Sequence, residues 1–80
     1  MKGYPVLLDL YGKKAVVIGG GKIATRKVQT LLESEANITV VSPDITETLE
    51  QFVIEQRITW HKKYFHVSDL DEAFIVIAAT

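Results

Sequence analysis

"VVIGGGKIAT", residues Val16 to Thr25, joins a β-branched run to a helical pattern through three consecutive glycines. Gly19, Gly21 and Ala24 match the spacing G-x-G-x-x-(G/A). Each position has a mechanical reason. A first glycine permits the sharp turn out of a strand, a second lets a pyrophosphate approach the backbone, and a small third residue lets the helix pack closely on the sheet. The helix then offers free N–H groups and the positive end of its dipole to the phosphates. Spaced glycines alone are weak evidence, because a bend that binds nothing has the same composition. The motif gains force from a strand before it and a helix after it, and both are predicted here.

Outward from the turn, Ala15 to Ile18 is a continuous apolar run, the pattern of a strand covered on both faces. From Lys22 to Ser34, apolar residues at Ile23, Ala24, Val28, Leu31 and Leu32 follow helical spacing. Asn37 to Pro43 reads as a second buried strand, stopped by proline. Asp44 or Thr46 is placed to cap a further helix with Ile45, Leu49, Phe52 and Val53 on its inner face. Arg57 to Tyr64 alternates as a third strand, with Ile58 and Trp60 sharing a face. Ser68 and Asp71 have capping-box spacing before a brief helical turn. Ala73 to Ala79 forms a fourth strand. Ahead of the first strand, Val6 to Leu10 reads as a short edge strand and Tyr11 to Lys14 as a turn in which Gly12 takes positive φ. Strands alternating with helices predict an α/β fold, a Rossmann-like doubly wound parallel sheet of which residues 1–80 supply the first four strands. A complete domain of this kind continues past a fourth strand, so the chain reads as one cofactor-binding domain cut short, with "FIVIAA" left exposed to favour association.

Composition narrows the classes. The 80 residues are 48% hydrophobic with a formal net charge of −1 and no cysteine. That suits a single small globular domain and excludes disulfide frameworks and thiolate zinc sites. The near-neutral balance argues against a nucleic-acid partner, which needs surplus Lys and Arg. No apolar run approaches the roughly 20 residues that span a bilayer, and no signal peptide is evident at the start. A cytoplasmic protein is expected.

A ribose-binding acid is expected about 20 residues beyond the motif. That place holds Ser42 and Pro43, with Asp44 slightly later. Ser42 carries a hydroxyl for a ribose but no charge to repel a 2′-phosphate, so NAD and NADP both stay open on these grounds. Lys22 and Arg26, four apart near a helix start, read as anion ligands or as a solvated face. His61 and His66 flank Tyr64 without the ligand count of a metal site, and no metal is expected. Asp9 is a turn or strand-edge acid, Trp60 and Phe74 fill core, and an aromatic near the sheet end has a ring as its natural partner.

"YPVLLDLYGKKAVVIGGGKIATRKVQTLLE", "ITVVSPDIT" and "FIVIAAT" together resemble the amino-terminal part of the precorrin-2 dehydrogenase family, over essentially the whole chain. The sharpest elements are Y-P-x-x-L-D-L, the triple glycine, and Ala24 to Lys27. The resemblance implies NAD-dependent oxidation of precorrin-2 to sirohydrochlorin in siroheme biosynthesis, by a homodimer, with ferrous-iron insertion in some members. It implies cofactor contacts at Lys22 and Ile23, at Pro43 and Asp44, and at Ala79 and Thr80 below the nicotinamide. It therefore favours NAD, with Ser42 standing where this family is similar to NAD users. The family's catalytic aspartate, dimerisation and tetrapyrrole-binding parts lie beyond residue 80, and the 80 residues alone are expected to be inactive. The chain departs from the family at Glu35, where glycine is usual after the first helix and a left-handed conformation would be strained. The competing expectation is a non-catalytic nucleotide-sensing module regulating a partner, but such modules usually keep the acid after the second strand.

Overall fold

The computed structural model describes residues 8–79. The elements run β1 (Lys14–Ile18), α1 (Lys22–Glu33), β2 (Asn37–Ser42), α2 (Glu47–Ile54), β3 (Thr59–Lys62), a 3-10 turn (Val67–Leu70) and β4 (Ile75–Ala78). All four strands are parallel in one sheet of order β3-β2-β1-β4. That is the 3-2-1-4 order of the first four strands of a Rossmann sheet, with the chain reversing direction across the sheet between β1 and β4. The predicted fold class is present, and so is the predicted succession of elements from the first strand of the motif onward.

Register explains the core. Ala15 lies between Ile38 and Ile75, and Val17 between Val40 and Ile77. These residues point to the face carrying α1 and α2, whose Ala24, Val28, Leu31 and Leu49 join them in one buried cluster. Successive strand residues alternate faces, so Val16 and Val41 bury on the opposite side of the sheet. Ile23 departs from the expected helix face. It is 54% exposed, beside the glycine turn rather than in the core. β4 is shorter than predicted because Ala73 and Phe74 precede its ladder. Phe74 is not core: it is 53% exposed, with the Lys13 ammonium over its ring. Val76 is also exposed, on the face away from the helices.

Other local expectations resolve differently. Leu8 to Leu10 form no strand, while Val6 and Leu7 of the predicted edge strand lie outside the described residues. Gly12 takes φ 67° as the turn requires, and the Asp9 carboxylate accepts from the Tyr11 N–H. Thr46, not Asp44, caps α2, its hydroxyl accepting from the Leu49 N–H at 3.2 Å. The predicted capping box lies two residues early: His66 is the cap and Asp69 its reciprocal acceptor, replacing Ser68 and Asp71. The imidazole Nδ1 accepts from the Ser68 N–H, while the Asp69 carboxylate accepts from the His66 N–H at 2.7 Å. The Lys63 ammonium donates to the same carboxylate at 2.7 Å and, with the His66 N–H, holds it below its ordinary value. This tie is complete above the usual carboxylate range and is lost as pH falls through the lowered value.

The end of α1 carries the strain anticipated from its sequence. Glu35 adopts φ 56°, its N–H donating to the Leu32 carbonyl and that of Ala36 to the Leu31 carbonyl. This is a Schellman closure, which glycine makes without Cβ strain. Glu35→Gly is expected to stabilise the fold by about 0.5–1 kcal/mol, relief of left-handed strain outweighing added chain entropy. Urea denaturation followed by Trp60 fluorescence reads it, and a lower midpoint would show that the strain is already relieved elsewhere.

Candidate dinucleotide site

The carboxyl ends of β1, β2 and β4 meet at the glycine turn. The Gly19 N–H donates to the Val41 carbonyl at 3.0 Å and the Ala79 N–H to the Ile18 carbonyl at 2.8 Å. Gly19 adopts φ 122°, which an L side chain rarely takes. The turn of the motif therefore needs its first glycine for backbone shape.

The middle glycine has a role that the spacing motif did not assign. A Cβ on Gly20 would stand 2.6 Å from the Ser42 hydroxyl and in collision with the Asp44 carbonyl oxygen. The loop after β2 packs directly on this residue and is tied to it by the Thr46 N–H, which donates to the Gly20 carbonyl at 3.0 Å. The third consecutive glycine, with no alternative at position 20, was the available signal. Gly21 is the opposite case. Its φ is −90°, and a Cβ there would meet no atom within 4 Å. Its bareness serves nothing inside the described fold and leaves open approach from outside.

The two helices differ at their N-termini. α2 is satisfied internally, by the Thr46 cap and by Glu47 and Glu50 in its first turn. α1 has no side-chain cap and no acid in its first turn, which begins Lys22, Ile23, Ala24. Its orphan N–H groups and positive dipole end face a cleft of about 400 Å³ lined by Gly19, Gly20, Gly21, Lys22, Ile23 and Ala79. That arrangement fits the pyrophosphate of a dinucleotide. Ala24 is fully buried, as close packing of helix on sheet demands. Thr80 lies outside the described residues.

On the β2 side, a second cleft of about 310 Å³ is lined by Ile18, Gly19, Val41, Ser42, Pro43, Tyr64 and Phe65. The wall is mainly apolar, suiting a flat heteroaromatic ring. Tyr64 is 82% exposed, its ring held at the rim without being buried by the fold. Trp60 and Phe74 are the aromatics expected in the core, and the ones at this end of the sheet are Tyr64 and Phe65. Their position directly after β3, at its carboxyl end, was the signal. Trp60 is half-buried, and its indole N–H donates to the Ser42 carbonyl at 3.0 Å. Ser42 is buried and its hydroxyl donates to the Asp44 carbonyl at 2.7 Å. The hydroxyl thus shapes the Pro43–Asp44 bend, while the Asp44 side chain stays exposed.

Lys22 and Arg26 share a groove of about 220 Å³ with Thr25, Gln29, Thr46 and Thr48. Neither is in an ion pair among the described residues. No group of three or more metal-ligating side chains, with or without His61 and His66, forms among the described residues.

Residues 6–80 match the family model described as "Putative NAD(P)-binding". The chain is 42% identical over 76 residues to the precorrin-2 dehydrogenase of Bacillus subtilis (strain 168), covering 95% of this chain and 47% of that protein. It is 40% identical over 80 residues to the siroheme synthase of Baumannia cicadellinicola, covering all of this chain and 17% of that protein. Among solved structures, "SirC, precorrin-2 dehydrogenase" superposes with a TM-score of 0.93 at 35% identity, covering 98% of this chain and 39% of that one. The chain thus spans less than half the length of these relatives. The glycine cleft, the uncapped α1 and the 3-2-1-4 sheet agree with what the comparisons find: the chain belongs to the putative NAD(P)-binding family, and it is similar over nearly its whole length to part of precorrin-2 dehydrogenases and siroheme synthases.

Proposed function

We propose that this chain is the cofactor-binding part of an enzyme that oxidises precorrin-2 to sirohydrochlorin with NAD, in siroheme biosynthesis. The observation that carries the reading is the contrast between a self-capped α2 and an uncapped α1 that opens onto the glycine cleft. The relatives named for this reaction match the chain over nearly its full length.

Gly19 and Gly21 shape the approach for the pyrophosphate, and the amides of Lys22 and Ile23 receive it, with Ala24 holding α1 close to the sheet. Pro43, Tyr64 and Phe65 enclose the adenine. Asp44 stands at the ribose, where its carboxylate accepts from a 2′-hydroxyl and repels a 2′-phosphate, which favours NAD over NADP. Ser42 supports that bend through its hydroxyl. Ala79 and Thr80, following β4, flank the nicotinamide. NAD, when bound, supplies the hydride acceptor, and these residues orient its ring and exclude water from it. The chain acts as one such domain within a cytoplasmic homodimer, with tetrapyrrole as partner and neither nucleic acid nor membrane required. No helix among the described residues is long and apolar enough to cross a membrane.

The test is conversion of precorrin-2 to sirohydrochlorin by the full-length protein, followed by absorbance, with NAD and NADP supplied separately. NAD-dependent turnover is expected, at higher kcat/KM than with NADP. NAD binding without turnover would sink the enzymatic reading and leave a nucleotide-binding module.

A further inference from the structure

A chain of hydroxyl groups runs from the start of α2 to the carbonyl of Gly21. The Leu49 N–H donates to Thr46 Oγ1 at 3.2 Å, Thr46 Oγ1 lies 2.7 Å from Thr25 Oγ1, and Thr25 Oγ1 donates to the Gly21 carbonyl at 2.8 Å. The directions are fixed at both ends, because an amide cannot accept there and a carbonyl cannot donate. Each hydroxyl has one proton. Thr25 spends its proton on Gly21, so Thr46 donates to Thr25. All the dipoles point the same way, the condition under which hydrogen bonds in series strengthen one another.

The relay ends on the peptide bond whose N–H belongs to Lys22. Its carbonyl oxygen accepts from both the Thr25 hydroxyl and the Thr25 N–H. Withdrawing electron density through that oxygen makes the Lys22 N–H a stronger donor, because the two are conjugated in one amide. Lys22 lines the glycine cleft at the uncapped start of α1. The relay starts at Thr46, whose own N–H donates to Gly20. Thr46 therefore holds the loop that carries Pro43 and Asp44 to the glycine turn by two separate bonds.

We infer that Thr25 and Thr46 are positioning residues for the dinucleotide: their hydroxyl relay locks the β2–α2 loop to the phosphate turn and polarises the Lys22 amide toward the pyrophosphate. The inference rests on the NAD-binding reading above. Both hydroxyls act through the Gly21–Lys22 peptide, on whose carbonyl the relay ends.

The test compares Thr25→Val with Thr25→Ser in the full-length protein. Valine keeps the shape and removes the hydroxyl, whereas serine keeps the hydroxyl. NADH affinity is read by fluorescence titration, and the Lys22 amide proton by ¹H–¹⁵N NMR of the cofactor-free protein. Thr25→Val is expected to weaken NADH binding about five- to tenfold, the scale of one lost hydrogen bond. It should also move the Lys22 amide proton upfield, and Thr25→Ser should restore both readouts. Thr46→Val is expected to add little to the loss in a Thr25→Val background, since both break the same relay. If Thr25→Val binds NADH as the unaltered protein does, or if serine fails to rescue, the inference is overturned. Failure of the unaltered protein to bind NADH would instead overturn the NAD-binding reading.

Discussion

Gly20→Ala is expected to destabilise the chain by about 3 kcal/mol, at the upper end of what an inserted methyl group does in a packed site. The methyl would stand 3.0 Å from the Asp44 carbonyl carbon, closer still to its oxygen, and 2.6 Å from the Ser42 hydroxyl. Two of these atoms are backbone, and the third, the Ser42 hydroxyl, is buried and bonded to the Asp44 carbonyl. The Asp44 carbonyl is backbone and accepts from Ser42, while the Ser42 carbonyl accepts from the Trp60 indole and from the Lys63 N–H. To make room, the whole bend from Ser42 to Thr46 must lift, breaking the Thr46-to-Gly20 hydrogen bond as it goes. For a domain of this size, 3 kcal/mol lowers the melting temperature by more than about 10 °C. Thermal unfolding followed by circular dichroism measures it. A loss under about 1 kcal/mol would mean that the bend lifts freely and that its packing on Gly20 holds nothing in place.

The parts of this fold that were legible in the sequence are those set by periodicity. The β-branched runs at Val16–Val17 and Val40–Val41, and the helical spacing of Ala24, Val28 and Leu31, depend only on local pattern, and the structure buries all of them. The left-handed helix end at Glu35 was legible only through the resemblance, which has glycine after the first helix, and the structure gives Glu35 φ 56°. What was not legible depended on contacts between distant segments. Nothing near Gly20 in sequence shows that Asp44 will lie against it. Nothing around His66 shows that imidazole, a rarer cap than serine, will take the position that Ser68 was expected to fill. Phe74 has the composition of core but sits ahead of an edge strand, where few elements are present to cover it. Ser42 reads as a ribose ligand from its place at the strand end. The donation of its hydroxyl to the Asp44 carbonyl is a further use, visible only once the bend is built.

Gly21→Val tests the other half of the glycine turn and should give the reverse result. Gly21 already has extended backbone angles, φ −90° and ψ −156°, which a β-branched residue adopts readily. Its Cβ would meet nothing within 4 Å, so the fold should lose no more than a few tenths of a kcal/mol, as at an ordinary surface position. The branched side chain would, however, project into the cleft in front of the α1 amides and hold a pyrophosphate away from them. The orphan N–H groups would then return to water, and the charge-assisted bonds that they offer would go unmade. A loss of NAD affinity of about 100-fold or more is expected, equivalent to about 2.7 kcal/mol. Isothermal titration with NAD, beside a urea melt of the same protein, separates the two quantities. Undiminished binding would show that the cofactor does not approach over Gly21. A collapse in stability would show that the open space at this position belongs to the fold after all. The two neighbouring glycines are indistinguishable by residue type, yet the chain packs against position 20 while position 21 faces open space, the space that the proposed cofactor would enter.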